Sequence, residues 1–346
     1  MEGVSASTLE TARLKANIYS TGPKDGTPVL FVHGNVSTGR FFEQALSNLP
    51  AGIYGVAVDL RGFGASEAKP IDATRGVRDF SDDVLSVMDA LGLDSAHLVG
   101  WSVGGGVVMQ IAIDQPGRVR SLVLLAPMSP FGFAGTRDAG GAPCFDDFAG
   151  SGAGTANPEF VKLLAEKDTT ADNQNSPRNV MNLFYFKPPF RVDPEWEETL
   201  VAELVTTQTG THHYPGDVTA SPNWPTAAPG TSGMNNAISP KYTNLSALAS
   251  IDPKPPILWI RGADDQIVSD TSMFDIGFLG SLGAIPGWPG EDVYPAQPMI
   301  GQLRALMSRY EAGGGAVREE VLADCGHSPH IEKADTVLEL IVGAVS

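Results

Sequence analysis

Short, almost continuously apolar runs alternate with helix-like patterns through the first third of the chain, and this alternation constrains the fold more than any other feature. The apolar runs are Pro28–Val32, Ile53–Val58, Ala96–Val99 and Leu122–Leu125. Strands that are apolar on both faces are typical of a parallel sheet that is covered on both sides. Between the second and third runs, apolar residues recur at helical spacing from Phe80 to Leu91, and Gly92 ends that pattern. The sequence therefore predicts an α/β fold with a doubly wound, mostly parallel sheet.

The alternation stops after the Leu122–Leu125 run and resumes only near residue 256. Three helix starts occur in the interruption, each with a capping residue followed by proline: Asn157-Pro158, Ser176-Pro177 and Asp193-Pro194. Residues 219–240 are rich in Pro, Ser, Gly and Asn, which indicates an irregular loop or lid. We therefore expect an α/β core at residues 1–127 and 254–346, interrupted by a largely helical cap at residues 128–253.

The second part of the core is predicted to contain a strand at residues 256–260, a helix at 302–310, a strand at 319–323 and a closing helix at 334–345. Residues 283–298 form a second irregular insertion after the first of these strands.

Charge and composition exclude several classes of partner. The 346 residues include 23 Lys and Arg against 40 Asp and Glu, for a net charge of −17. Such a surface repels phosphate backbones and anionic lipids, so we expect no binding to nucleic acid or to a membrane surface. No apolar run approaches the roughly 20 residues needed to cross a bilayer, and no signal-peptide pattern is present. Cys144 and Cys325 lie in unrelated segments and are expected to be free thiols of a cytoplasmic protein.

The segment Gly100–Gly104 carries the clearest chemical signal. It has the form Gly-x-Ser-x-Gly, and it lies between an apolar strand pattern and a helical pattern. A serine on such a sharp strand-to-helix turn has an exposed hydroxyl, and the flanking glycines let strand and helix approach without Cβ clashes. The sequence therefore predicts that Ser102 is a nucleophile.

A serine hydroxyl needs a base, and the base needs an acid to orient it. Of the six histidines, His327 and His330 follow the last predicted strand, and His327 is favoured because a glycine before it allows a tight loop. The acid is expected at the carboxyl end of the strand over residues 256–260, where Asp265 is favoured and Asp264 is the alternative.

The negative charge that forms during acyl transfer needs two fixed hydrogen-bond donors. The backbone N–H groups of Asn35 and Val103 are the candidates for this oxyanion hole, with His33 as a structural residue under the loop. The residues expected to line an apolar substrate pocket are Trp101, Met128, Phe184, Phe186 and Trp224. The segment Met181–Phe186 could instead pack the cap onto the core. No metal or cofactor is predicted.

Taken together, these motifs resemble the α/β-hydrolases that carry a cap, a group that includes esterases, lactonases and carbon–carbon bond hydrolases. The resemblance covers roughly residues 12–128 and 254–346. The motifs that carry it occur in the family's order: His33-Gly34, Asp59–Ser66, Ala90–Gly104, Gly262–Val268 and Gly326–His330. The resemblance implies Ser102 as nucleophile, His327 as general base and acid, and Asp265 as orienting acid.

The resemblance also separates some branches of the family. Epoxide hydrolases and haloalkane dehalogenases have aspartate at the elbow, where this chain has Ser102. Zearalenone-type lactonases take their acid after the earlier strand, where this chain reads Ala126-Pro127-Met128. The expected function is hydrolysis of a small, largely apolar carboxylic ester through an acyl-enzyme. A lactonase or carbon–carbon bond hydrolase with the same triad and a non-catalytic ligand-binding homologue are the alternatives.

Overall fold

The computed structural model describes residues 3–345. Its main sheet has eight strands, and six of them correspond to predicted strands. In chain order the strands are β1 (Ser5–Glu10), β2 (Lys15–Thr21), β3 (Thr27–Val32), β4 (Ile53–Val58), β5 (Ala96–Trp101), β6 (Val119–Leu125), β7 (Ile257–Gly262) and β8 (Val317–Leu322). Their order across the sheet is β1-β2-β4-β3-β5-β6-β7-β8.

From β4 to β8 every neighbouring pair is parallel, whereas β1–β2 and β2–β4 are antiparallel. The central strands β3 to β6 are almost fully buried, which explains why their sequences lack polar alternation. The hairpin β1–β2 was not predicted. Strand β1 lies at the sheet edge and is mostly exposed, so its sequence carries no continuous apolar run.

The core helices include four that match predicted helical patterns, at residues 80–91, behind Ser102, at 302–310 and at 334–345, and three short ones that were not predicted. They are α1 (Glu43–Ser47), α2 (Arg78–Ala90), α3 (Val103–Asp114), α8 (Ile276–Ser281), α9 (Met299–Ala312), α10 (Pro329–Glu332) and α11 (Ala334–Val345). Helix α3 begins directly behind β5 and is buried from Val103 to Ala112, a stretch in which Gln110 is the one polar residue. No helix within residues 3–345 is both long and apolar enough to cross a membrane.

The insertion follows β6, as the sequence predicted. Its helices are α4 (Pro158–Ala165), α5 (Pro177–Val180), a π-helical turn (Met181–Tyr185), α6 (Pro194–Leu204) and α7 (Met234–Ala237). The side chains of Asn157, Ser176 and Asp193 accept hydrogen bonds from the first turns of α4, α5 and α6, which confirms all three predicted helix starts. Long irregular segments join these helices, and the predicted boundaries near residues 127 and 253 fall in segments without regular structure.

The stretch at residues 219–240 is more ordered than its composition predicted. It contributes to a two-stranded ribbon, in which Val218–Ala220 pairs with Ala227–Pro229, and it contains α7. Backbone hydrogen bonds from Gly233 to Ile71 and from Ala73 to Thr231 attach this stretch to the first part of the core. Backbone hydrogen bonds thus hold the segment in place, and it has more regular structure than the predicted loop or lid.

Candidate active site

Ser102 lies at the turn between β5 and α3 in a conformation that few residues adopt. Its φ and ψ angles are 56° and −120°, and its side chain is nearly buried at 8% exposure. Positive φ values are costly for residues with a Cβ and are found mainly where the surrounding structure imposes them. A Cβ on Gly100 or Gly104 would clash with neighbouring backbone, so the two glycines permit the close approach that imposes this turn.

Asp265 and His327 are joined by a hydrogen bond. The Nδ1 atom of His327 lies 2.8 Å from Oδ2 of Asp265, and both side chains are buried. The other carboxylate oxygen, Oδ1, accepts hydrogen bonds from the backbone N–H groups of Ile267 (2.7 Å) and Val268 (3.0 Å). The aspartate is thereby fixed in the loop after β7. An Nδ1–H that donates to a carboxylate leaves Nε2 of His327 free to accept a proton.

Asp264, the alternative acid, and His330, the alternative base, are not part of the hydrogen bond between Asp265 and His327. Asp264 is partly exposed and forms an ion pair with Lys187 at 3.0 Å. His330 is fully buried against Trp101 and Phe42, with ring centroids 4.8 and 4.7 Å apart, and neither of its ring nitrogens has a hydrogen-bond partner. Burial and the neighbouring His327 lower the pKa of His330 to about 3, so its ring is neutral at pH 7.

Trp101 connects the turn at Ser102 to the loop that carries His327. Its indole Nε1–H donates to the backbone carbonyl of His327 at 2.8 Å, and its ring is stacked on Phe41. Ser102 and His327 both line one cavity. Within residues 3–345 no hydrogen bond joins their side chains. Such bonds are often long in unliganded enzymes and shorten when substrate binds.

The loop His33–Ser37 crosses directly over Ser102, and we call it the oxyanion loop because the sequence predicts an oxyanion donor, Asn35, within it. A Cβ added to Gly34 would lie 2.8 Å from the Cβ of Ser102, so only glycine fits there. The carbonyl of Gly34 accepts hydrogen bonds from His33 Nδ1 (2.7 Å) and Ser37 Oγ (2.9 Å). The C=O and N–H of one trans peptide point in opposite directions, so anchoring this carbonyl also fixes the N–H of Asn35.

His33 is a structural residue, as the sequence analysis expected. The N–H of Leu60 donates to its Nε2 at 2.9 Å, which leaves the proton on Nδ1 for the carbonyl of Gly34. Burial lowers the pKa of His33 to about 4 and keeps this neutral tautomer at pH 7. In the described part of the chain, no hydrogen-bond acceptor faces the N–H of Asn35 or of Val103, the first residue of α3. Both groups are therefore available to a ligand.

The cavity in front of Ser102 has a volume of about 670 Å³ and lies between the core and the insertion. Its walls are mostly apolar, and its described lining contains no Lys, Arg, Asp or Glu. The apolar part includes Phe133, Phe160, Ile238, Met273 and Leu279. Such a cavity favours an uncharged ligand, because a charged one would lose its hydration without gaining a counter-charge.

Three of the five expected pocket residues, Trp101, Met128 and Phe184, line this cavity. Phe186 does not, because the chain becomes extended after the π-helical turn and its ring packs against Phe190. Trp224 is also outside the lining, since its ring packs against Tyr294 in the second irregular insertion. The expectation for Phe186 and Trp224 is thus corrected.

Polar residues also line the cavity: Tyr185 lies in the segment Met181–Phe186 already noted in the sequence, whereas Tyr214 and Asn235 were not predicted. Tyr185 donates its hydroxyl to the carbonyls of Asn35 and Val36, both at 3.1 Å, and so attaches the insertion to the oxyanion loop. Tyr214 and Asn235 line the cavity on the same side. No local pattern marks these residues, because long-range hydrogen bonds determine where their segments lie.

The sequence matches the family model of the alpha/beta hydrolase fold over residues 27–279, and the chain belongs to this family. RutD from Variovorax paradoxus, a proposed carbamate hydrolase, is 39% identical over 126 residues, which are 36% of this chain and 45% of RutD. The 2-hydroxymuconate semialdehyde hydrolase of Pseudomonas sp. CF600 is 35% identical over 117 residues, 33% of this chain and 40% of that enzyme. The matched segments thus span less than half the length of these relatives.

Among solved structures, carboxylesterase CesB (YbfK) from Bacillus subtilis has a similar fold, with a TM-score of 0.61 and 17% sequence identity. The similarity covers 99% of this chain and 91% of that one. This structural similarity agrees with the family match, and both assign the protein to the α/β-hydrolase fold.

Proposed function

We propose that the protein is a serine hydrolase that cleaves uncharged carboxylic esters through an acyl-enzyme on Ser102. The observation that carries the proposal is the buried hydrogen bond between His327 and Asp265 beside a cavity that Ser102 also lines. A serine at positive φ, a histidine with a free Nε2 and a buried carboxylate are the three parts that acyl transfer to serine requires.

In the first half of the reaction, Oγ of Ser102 attacks the ester carbonyl carbon and transfers its proton to Nε2 of His327. The carboxylate of Asp265 stabilises the imidazolium that forms. The carbonyl oxygen becomes an oxyanion and accepts hydrogen bonds from the N–H groups of Asn35 and Val103. The carbon–oxygen bond to the alcohol then breaks, and the alcohol leaves with the proton from His327.

In the second half, water replaces the alcohol. His327 takes a proton from the water as its oxygen attacks the acyl carbon, and the same two N–H groups stabilise the second oxyanion. The bond to Ser102 breaks, its oxygen recovers the proton, and a carboxylic acid is released.

The cavity favours an uncharged ester over the acidic product of a ring-cleavage reaction. No cationic side chain occurs in its described lining, so a second carboxylate on the substrate would be buried without a partner. A lactone is a cyclic ester and needs the same groups, and it is therefore included in the test.

The test compares p-nitrophenyl esters of acetic, butyric and octanoic acid with the glutaric half-ester and with δ-lactones, on wild type and on Ser102→Ala. We expect turnover of the neutral esters or lactones, a lower kcat/KM for the charged half-ester, and at least a ~10³-fold loss in Ser102→Ala. If wild type hydrolyses no neutral ester or lactone, or if Ser102→Ala remains active, the proposal is wrong.

A further inference from the structure

A short chain of hydrogen bonds leads from the oxyanion loop into the insertion along one wall of the cavity. The N–H of Val36 donates to Oδ1 of Asn35 at 3.0 Å, and Nδ2 of Asn35 donates to Oδ1 of Asn235 at 3.1 Å. The hydroxyl of Tyr214 lies next to the side chain of Asn235. Asn35, Asn235 and Tyr214 all line the cavity, and we call these three side chains the amide subsite.

The amide subsite lies close to the reaction centre. The backbone N–H of Asn35 is one of the two proposed oxyanion donors, and its side chain belongs to the subsite. Its partner Asn235 comes from α7, 200 residues later in the chain. The carbonyl oxygen of a substrate on Ser102 would thus be a near neighbour of the subsite.

The position of Asn235 is fixed by the residue that follows it. Asn236 is fully buried, and its Nδ2 donates to the carbonyls of Asp217 and Ser232, both at 2.7 Å. Its Oδ1 accepts from the N–H of Ala153 at 2.9 Å. These bonds hold α7 against two other segments of the insertion, so Asn235 faces the cavity from a rigid support.

The chemistry of the subsite favours a ligand that accepts hydrogen bonds. A carboxamide has two N–H donors, and the bond from Asn35 to Asn235 uses only one of those on Asn35. The Oδ1 atoms of both asparagines already accept hydrogen bonds within the chain. The subsite therefore still offers unused donors, namely N–H groups of both asparagines and the O–H of Tyr214. An apolar group placed against them would leave them without water and without a partner.

We propose that the amide subsite recognises an uncharged acceptor oxygen close to the scissile carbonyl, such as an ether or ketone oxygen of the substrate. This inference rests on the proposed ester hydrolysis and names the class of ester. A carboxylate at this position is disfavoured, since no cation occurs in the described lining.

The test uses two esters that differ only in one atom of the acyl chain. In p-nitrophenyl methoxyacetate an ether oxygen replaces one CH₂ group of p-nitrophenyl butyrate. The quantity of interest is the ratio of kcat/KM for the methoxyacetate to kcat/KM for the butyrate. Comparing this ratio between wild type and variants cancels the different intrinsic reactivities of the two esters.

Asn235→Leu keeps the size of the side chain and removes its hydrogen-bonding groups. We expect this ratio to fall about five- to tenfold in Asn235→Leu, the effect of losing one hydrogen bond. Tyr214→Phe provides a second variant with little change in packing, and there we expect a fall of about threefold or more. The matched control is Asn175→Leu, which changes an amide elsewhere in the cavity lining and is expected to leave the ratio unchanged.

The results separate the two proposals. A ratio that falls in Asn235→Leu and Tyr214→Phe but not in Asn175→Leu supports the subsite. If wild type hydrolyses both esters and the ratio is the same in all variants, the subsite is wrong and the proposed function stands. If wild type hydrolyses neither of these esters, nor any other neutral ester or lactone, both are wrong.

Discussion

Replacing His330 by phenylalanine tests the assignment of the two histidines after β8. His330 is fully buried, its ring packs against Trp101 and Phe42, and neither ring nitrogen has a partner. A phenylalanine ring has a similar shape and no polar atom to leave unsatisfied. An unsatisfied buried polar atom costs about 1–3 kcal/mol. We therefore expect the free energy of unfolding of His330→Phe at pH 7.5 to equal or exceed that of wild type.

The pH dependence gives a second, quantitative expectation. The pKa of His330 is about 3 in the folded protein, against 6.5 for an unperturbed histidine. Its contribution to stability is fully present above the unfolded pKa and is lost as the pH falls toward the folded pKa, because the unfolded chain binds the proton first. With about 1.4 kcal/mol per pKa unit, wild type loses about 2 kcal/mol through this residue between about pH 7.5 and pH 5.

The assay is urea unfolding followed by circular dichroism at several pH values, together with ester hydrolysis. The loss of stability toward pH 5 should be about 2 kcal/mol smaller in His330→Phe than in wild type. Its kcat/KM should stay within about threefold of wild type, whereas His327→Ala should lose at least ~10³-fold. An equal loss of activity in both variants, or an unchanged pH dependence in His330→Phe, would refute the reasoning.

Three further substitutions test the geometry around the serine. Asp265→Asn should lower kcat by about 10³- to 10⁴-fold, because an amide does not keep the proton of His327 on Nδ1. The control is Asp264→Asn, which loses only an exposed ion pair and should change the unfolding free energy by less than about 1 kcal/mol. Gly34→Ala places a methyl group within 2.8 Å of the Cβ of Ser102. We expect kcat/KM to fall at least ~10²-fold with an unchanged circular dichroism spectrum. Full activity would contradict the close contact between the loop His33–Ser37 and Ser102. Tyr185→Phe removes the hydroxyl that holds two carbonyls of the oxyanion loop. We expect kcat to fall about tenfold with little change in KM. A change in KM alone would count against this role.

The core could be predicted because its signals are local. The buried strands β3 to β6 are apolar on both faces, and the caps Asn157, Ser176 and Asp193 each precede a proline at the helix start. The candidate triad was found for the same reason, since each member follows a recognisable strand. The structure brings Ser102, Asp265 and His327 to one end of the sheet. Their catalytic roles remain our proposal.

The cavity lining could be predicted only in part, because long-range contacts position many of its residues. Phe184 lines the cavity and Phe186 does not, a difference that depends on the π-helical turn over residues 181–185. Asn235 reaches the cavity because Asn236 is bound by two other segments of the insertion, at Ala153 and Asp217. No periodicity in the sequence carries this information.

Covalent labelling with a fluorophosphonate, followed by intact mass spectrometry and peptide mapping, shows whether Ser102 is an activated nucleophile. The account predicts one label per chain on Ser102, no label in Ser102→Ala, and at least ~10²-fold slower labelling in His327→Ala, where the base is missing. Failure of wild type to label, or labelling that persists in Ser102→Ala, would contradict the claim that Ser102 is an activated nucleophile.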